Sequence, residues 1–496
     1  MVLRLSAVLT LLLALPWISS AQFELADAAE EKKWGAVSSL LSENTNPDAV
    51  QEDGTSALHW AAYHNHFATI ERLIKAGADV TLKNRFGATA LSQASVSGNA
   101  VAVSALLEAG ADANTTLPGG ETVLMTAART GKLAPIDALL KHGAKLDSTD
   151  FKKQTALMWA AAEGHASVID NLIQAGADPN RATKSGMTSI MFAARNGHIE
   201  AVQMLMKNGV DHNKVIEIER QGRKAPPKGS GPLRFAVENG HFDLAIVLLE
   251  AGANPNDQRS GHTPLHVLSW VRKPNRGDGD DGAPPPEGSG KTSSLNFARI
   301  LVERFKADPN TKLDNGTAGG HRLGTRGATP ALLAAKTGDL PFLKLLVELG
   351  ADIAIPNGIG TTPLMTAAGL GTSAPTEEAG TEAECIETVA WLLERGAKIN
   401  YLNENGEGAM HGAAYKNLPA MVEFLHEKGA DIKFWNLKNK RGHTPLLIAQ
   451  GFRPGNFKPA PATIAAMEKV MRANGVEPPP APKRPVVGRK QKYDKN

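Results

Sequence analysis

A period of 33 residues governs this chain. Ser56, Thr89, Thr122, Thr155 and Thr188 follow one another at steps of 33, and Gly77, Gly110, Gly143, Gly176 and Gly209 keep the same step. One period, Gln154 to Asn180, reads as two short helices and a turn. Leu157, Ala160 and Ala161 share one face of the first helix, at i, i+3 and i+4. Gly164 ends it, because glycine takes the left-handed conformation a helix terminus needs. Ile169, Leu172 and Ile173 repeat the spacing on a second helix that stops at Gly176. Helices this short cannot bury their apolar faces alone. Each pair therefore needs a like neighbour on either side.

The 33-residue step with a T-x-L-x-x-A signature resembles the ankyrin repeat. Its best local matches are Gly54-Thr-Ser-Ala-Leu-His59, Gly261-His-Thr-Pro-Leu-His266 and Gly442-His-Thr-Pro-Leu446, and Gly-Ala-Asp recurs at 77–79, 110–112, 176–178 and 429–431. The resemblance covers nearly the whole chain after residue 24. It implies an all-α ankyrin-repeat solenoid of stacked antiparallel helix pairs with hairpin-like turns, and a role in protein binding.

The expected organisation follows the register. Residues 22–50 form an N-terminal capping repeat, with Asn44 where the closing glycine belongs. Residues 51–260 hold six repeats, the register breaking at an insertion over 211–229. Residues 261–326 are one repeat carrying insertions at 273–292 and 315–327. Residues 327–478 hold four repeats, with an insertion at 371–382 and the last pair as C-terminal cap. The Gly-, Pro- and Asp-rich composition of the 273–292 and 371–382 insertions predicts mobile, dispensable segments. Residues 479–496 are a Pro-rich and basic tail expected to be disordered.

Residues 1–21 are different in kind. Arg4 precedes an apolar stretch, Leu5 to Ile18, and Ser19-Ser20-Ala21 offers small residues for cleavage. This is the pattern of a secretory signal peptide cut near Ala21, and the apolar run is short for a membrane anchor. The chain is expected to be exported, periplasmic or secreted, with no stable membrane insertion after cleavage. Cys385 is the single cysteine, so no internal disulfide can form. Asn114-Thr-Thr116 and Asn315-Gly-Thr317 match the glycosylation sequon, which matters only in a eukaryotic source.

The chemical motifs are thin. Gly288-Ser-Gly-Lys-Thr292 resembles the end of a phosphate-binding loop, but Pro285 stands where the first glycine belongs and no strand precedes it. Asp278, Asp280 and Asp281 resemble a calcium loop, yet Ala283 and Ser289 occupy its glycine and glutamate positions. His59, His64 and His66 cluster, but His165, His198 and His241 recur at the register of His66, which points to a structural role rather than a metal. No carboxylate pair, nucleophile elbow or zinc-protease helix stands out. No catalytic residue, cofactor or metal is assigned, and a net charge of +3 gives no field for nucleic acid.

The residue after the Ala-Ala pair of each first helix is expected to face a concave groove. Along the chain these are Tyr63, Val96, Arg129, Ala162, Arg195, Glu238, Trp270, Lys336 and Tyr415. The turns add Arg85, Phe86, Lys184, Arg259 and Arg441. Tyr, Trp and Arg are the usual interface anchors. The expected function is binding of a protein or peptide partner of acidic character. The alternatives are a regulatory or protective subunit of an exported enzyme and, further off, an enzyme whose site is built by the inserted loops.

Overall fold

The computed structural model describes residues 21–219, 225–275, 284–316, 323–375, 377–453 and 458–482, with side chains from residue 24 onward. The expected signal segment up to Ser20, Asp278, Asp280 and Asp281, and the expected disordered tail from residue 483 lie outside the described residues. Among the described residues every named element is a helix, and strand-like pairing is limited to single antiparallel bridges, Val50 with Ser56 and Thr116 with Thr122, at the turns.

Two compact units divide the chain, Met1–Pro226 and Pro227–Asn496. In the first the helices pair as α1 (Ala21–Glu30) with α2 (Trp34–Ser42), α3 (Ala57–Tyr63) with α4 (Phe67–Lys75), α5 (Ala90–Ser97) with α6 (Ala100–Glu108), α7 (Val123–Arg129) with α8 (Leu133–Lys141), α9 (Ala156–Glu163) with α10 (Ala166–Gln174), and α11 (Ser189–Arg195) with α12 (Ile199–Lys207). The second pairs α13 (Pro232–Glu238) with α14 (Phe242–Glu250), α15 (Pro264–Arg272) with α16 (Ser294–Glu303), α17 (Pro330–Lys336) with α18 (Leu340–Glu348), α19 (Pro363–Ala367) with α20 (Glu382–Glu394), and α21 (Ala409–Lys416) with α22 (Pro419–Glu427). A single turn, α23 (Ile432–Trp435), precedes the last pair, α24 (Pro445–Ala449) with α25 (Pro461–Ala473). Within each unit, first helices pack on first helices and second on second, so two parallel helical layers build up.

The first helices are too short to be stable in isolation. Their starts are fixed by side-chain caps, typically worth about 1 kcal/mol each. Thr89 Oγ1 accepts from the Ser92 N–H at 3.1 Å, and Thr122 and Thr329 do the same for Met125 and Leu332 at 3.2 Å. This is the physical content of the recurring threonine. Behind the caps the faces bury as the spacing predicts: Leu157, Ala160, Ala161, Ile169 and Leu172 are fully buried. Ile173 is only half-buried, whereas Val168 is fully buried.

Gly164 closes α9 at φ +81° and also makes room for the next repeat. A Cβ there would lie 2.6 Å from His198 Nδ1. His198 Nε2 reaches the Ala162 carbonyl at 2.9 Å, and His165 Nε2 reaches that of Arg129 at the same distance. Lys132, at the same register, bonds the Ser97 carbonyl at 3.1 Å. His165 and His198 therefore tie the free carbonyl end of one inner helix to the following repeat. His59 instead ties the start of α3 to the turn of the following repeat, its Nε2 lying 2.9 Å from the Ala88 carbonyl and its Nδ1 2.8 Å from Ser56 Oγ.

Composition does not foretell the contacts that described parts of the insertions make. Ile216, inside 211–229, is buried and packs where Gly186 leaves space. Gly288-Ser-Gly-Lys-Thr292 is seated on the start of α14: Ser289 N–H donates to His241 Nδ1 at 2.9 Å, and the Lys291 and Thr292 N–H groups donate to the Asp243 carboxylate at 2.8 and 3.2 Å. Those amides, which a phosphate loop would turn to its ligand, are spent on the protein's own carboxylate. The 371–382 stretch is also packed. Its Glu378 carboxylate accepts from Lys336 Nζ at 2.8 Å and from the Ser373 N–H at 2.7 Å. A few polar anchors hold these segments where apolar side chains are scarce.

Candidate protein-binding site

In the first unit the expected face is formed by the ends of α3, α5, α7, α9 and α11. Tyr63, Val96, Arg129 and Arg195 are exposed there, with the smaller Ala162 half-buried between the two arginines. Each guanidinium rests on an aromatic ring. Arg129 lies 5.6 Å over Trp159 and Arg195 5.1 Å over Phe192. Such stacking is worth roughly 0.5–1 kcal/mol at exposed sites and restricts the side chain before any partner arrives. Because Ala162 is small, a hollow of about 380 Å³ opens beside Trp159 and Phe192, reaching the turn residues Phe151 and Lys152. Phe151 is 70 % exposed.

The turns form a ladder along one edge. Phe151 N–H donates to the Gly119 carbonyl at 3.1 Å and Lys184 N–H to that of Lys152 at 3.3 Å, while Arg85 N–H donates to Asp53 O at 2.7 Å. Asp150 folds its turn by accepting the N–H groups of Lys152 and Gln154, both at 2.8 Å. These bonds hold the exposed Arg85, Phe86 and Lys184 in line with the groove residues. Arg85 lies 5.1 Å over the Phe86 ring.

The second unit treats the same register differently. Glu238 is half-buried, 3.3 Å from Arg234 Nη2. Trp270 is half-buried against His262, their rings 5.0 Å apart and nearly perpendicular, with Arg234 at 6.0 Å from its centroid. Lys336 carries Glu378 as its partner. Burial would raise the Glu378 carboxyl, but the Lys336 ammonium and the Ser373 and Ala374 amides outweigh it and hold it below the usual range. Tyr415 is the clear departure from expectation. It is 5 % exposed, donates to Glu407 Oε1 at 2.9 Å and sits 3.4 Å from Asn439 Nδ2. Glu407 and Asn439 come from neighbouring turns, so the phenol is part of the turn core and offers nothing to a partner. Arg259 is exposed and held by Asp257 at 2.9 Å, and Arg441 is exposed on its turn.

Several contributors escaped the register count. Trp159 and Phe192, three residues before the groove position, were findable by stepping 33 from Trp60 through Gln93 and Thr126. Lys416 was not, because nothing in the sequence foretells that its ammonium is buried against the Ala379 carbonyl at 2.6 Å and Cys385 Sγ at 3.4 Å. Burial pushes the Cys385 thiol up, against the opposing pull of Lys416.

Short helix pairs layered in register, with one face of exposed side chains and a laddered edge of turns, define a helical-repeat fold built for contact with another surface. Models of ankyrin repeats match residues 25–117, 102–183, 124–216 and 190–273 in three-copy form, 326–358 as a single repeat and 379–426 in a many-copy form. The chain belongs to the ankyrin-repeat family, whose repeats are in general protein–protein interaction modules. It is 32 % identical over 174 residues to a B-cell lymphoma 3 protein homolog of Mus musculus, covering 34 % of each chain. It is 28 % identical over 132 residues to an ankyrin repeat and KH domain-containing protein of Caenorhabditis briggsae, covering 23 % of this chain and 5 % of that one. The match thus spans about a third of the first relative and a small part of the second. Among solved structures the human ASB11 ankyrin repeat domain aligns with TM-score 0.40 at 25 % identity, over 47 % of this chain and 98 % of that one. Among the described residues no helix is long and apolar enough to cross a membrane.

Proposed function

We propose that this chain is an exported binding protein that grips a protein or peptide partner of acidic character with the groove face and turns of its first unit. The observation that carries the reading is the pair Arg129 and Arg195, exposed and each seated on an aromatic ring. Charged groups so placed steer an oppositely charged partner and anchor it on arrival. Export is supported by the charge and apolar pattern of residues 1–21 and by the position of the cap. Leu25, Ala26 and Ala29, which are buried in α1, all follow Ala21, so cleavage there keeps them.

The test is capture of a partner from the native extracellular or periplasmic fraction by the mature chain. Arg129→Ala with Arg195→Ala should weaken capture while leaving helicity and melting unchanged. Trp270 is a poorer probe, since its half-buried ring contacts His262 and its loss would disturb packing. Capture that survives the double change removes the groove reading. Mass spectrometry of the native protein should find an N-terminus near Gln22, and an intact Met1 in the soluble exported fraction would contradict export.

A further inference from the structure

The end of α21 carries a lysine that the fold buries without a carboxylate. Lys416 is 4 % exposed, and its ammonium donates to the Ala379 carbonyl at 2.6 Å and to Cys385 Sγ at 3.4 Å. Among the described residues it takes part in no ion pair. The acidic groups in the first turn of α20 are engaged elsewhere. Glu384 pairs with Lys273 and accepts the Thr381 N–H at 2.9 Å, and Glu382 accepts the Met421 N–H at 3.0 Å. A buried ammonium left without an opposite charge is destabilising. The surrounding chain is nevertheless shaped to hold it. A Cβ at Gly369 would lie 2.6 Å from Lys416 Cβ, and one at Gly380 would lie 3.1 Å from Lys416 Nζ.

The thiol beside that ammonium sits in the opening turn of α20 and is fully buried. Cys385 is the single cysteine, so no second thiol of the chain can capture an oxidised sulfur there. The nucleophile within reach is the Lys416 amine. Burial keeps the thiol protonated and slow to react, against the pull of Lys416. Once the sulfur is oxidised it becomes an electrophile, and the neighbouring amine meets it without a diffusional step. The slot that holds the lysine thus also fixes which group the oxidised sulfur encounters.

We propose that Cys385 and Lys416 form a modification site at which hydrogen peroxide closes a reversible covalent link between α20 and α21. Local opening at the start of α20 admits a molecule as small as the peroxide. The thiol is oxidised to a sulfenic acid, and the peroxide is reduced to water and supplies the sulfenic oxygen. Lys416, having released its ammonium proton, then attacks the sulfur. An N–S bond forms, the S–O bond breaks, and the departing hydroxide takes a proton from the nitrogen and leaves as a second water. Thiol, ammonium and peroxide thus give a sulfenamide, two waters and one proton. Two equivalents of an added thiol reverse the link, restoring the Cys385 thiol and the Lys416 amine and leaving the reductant as its disulfide. The link joins positions 31 residues apart, which restricts the unfolded chain, and it removes the uncompensated charge. The oxidised second unit should therefore resist unfolding better than the reduced one.

The experiment treats the mature full-length chain with hydrogen peroxide and maps its tryptic peptides by mass spectrometry. The peptides of Cys385 and Lys416 should appear joined, about 2 Da lighter than their sum, with no cleavage after Lys416. Dithiothreitol should separate them at their original masses. The urea midpoint of the second unit should rise on oxidation and return on reduction. Lys416→Gln should leave Cys385 carrying added oxygen and no joined peptides, and Cys385→Ser should show neither change. The unaltered protein decides the matter even where a variant fails to fold. A Cys385 that stays a thiol under peroxide, or gains oxygen while Lys416 remains cleavable, overturns the inference. So does a link that forms as readily in the urea-unfolded chain, because the folded geometry would then contribute nothing.

Discussion

Arg272 and Asp339, 67 residues apart in sequence, meet in a bidentate ion pair, Nε to Oδ2 at 2.7 Å and Nη2 to Oδ1 at 3.0 Å. Asp339 follows Gly338 at the register where His66, Lys132, His165, His198 and His241 stand in other repeats. Its carboxylate also accepts the Phe342 N–H at 3.2 Å and so caps α18. One side chain thus joins the end of α15 to the start of α18, on the far side of an insertion. The side chains are 14 % and 1 % exposed. Removing one member of a buried pair leaves an uncompensated charge, typically at a cost of about 3–5 kcal/mol, whereas replacing both with apolar residues of like volume is far milder. Asp339→Ala should therefore lower the urea midpoint of the second unit sharply, and Arg272→Met with Asp339→Met should recover much of the loss. A double variant no better than the single one would show that the cap, not the pair, carries the effect.

A second prediction separates backbone strain from close approach. Gly143 and Gly164 have nearly equal φ, +83° and +81°. A Cβ at Gly143 meets nothing within 4 Å, whereas at Gly164 it meets the His198 ring at 2.6 Å. Gly143→Ala should cost about 1–2 kcal/mol from the left-handed conformation alone. Gly164→Ala should cost more, because His198 must withdraw from the Ala162 carbonyl, forfeiting a bond worth about 1 kcal/mol. Chemical denaturation of the two variants should rank them in that order. Equal losses would mean that the histidine moves aside freely.

The third prediction concerns pH. Burial pulls the imidazoles of His266 down to about 3 and of His262 and His411 down to about 4. In His266 burial outweighs the opposing effect of the Ala328 carbonyl, 3.1 Å from Nε2. The folded pKa values lie below the unfolded value near 6.5, so the unfolded chain binds more protons across that interval. Stability is fully present above about 6.5 and falls as pH drops towards 4 and then 3, by roughly 1.4 kcal/mol per histidine per pH unit. Glu378 and Glu384, whose carboxyls are held below the usual range, add losses only at still lower pH, below about 4.5. Urea midpoints should therefore fall between pH 6.5 and 4.5, before these carboxylates contribute, and ring resonances of His266 should show no titration at pH 5. A flat stability profile over that range would contradict the burial argument.

The repeat was legible because its determinants are local. The threonine caps, the closing glycines and the small-residue faces each act within one period, so stepping by 33 found them. Arg129 and Arg195 could be placed on a shared face in the same way, and so could the rings beneath them. Tyr415 could not, because its fate depends on Glu407 and Asn439 on neighbouring turns, and the register is silent about which polar groups will enclose a phenol. The contacts of the insertions were illegible for a related reason. Composition measures how much apolar surface a stretch can bury, and 371–382 is held instead by polar contacts, among them the Glu378 carboxylate on Lys336, the Ala379 carbonyl on Lys416 and the Glu382 carboxylate on the Met421 N–H.

The last prediction uses that contrast to separate binding residues from packing residues. Tyr415 and Arg195 come from comparable positions on their inner helices, one enclosed and one exposed. Tyr415 Oη donates to Glu407 Oε1 at 2.9 Å, and Asn439 Nδ2 donates to the same oxygen at 2.9 Å. Tyr415→Phe deletes one donor to a buried carboxylate and keeps the ring. Such a change costs about 1.5–3 kcal/mol. It should lower the melting temperature of the second unit and leave capture of a partner by the first unit unaltered. Arg195→Ala should do the reverse, since its guanidinium is exposed over Phe192 and its loss opens no cavity. Melting curves and capture assays on the two variants should therefore give opposite patterns. Reduced capture by Tyr415→Phe at a temperature where it remains folded would place the binding surface in the second unit, despite the enclosure of that tyrosine.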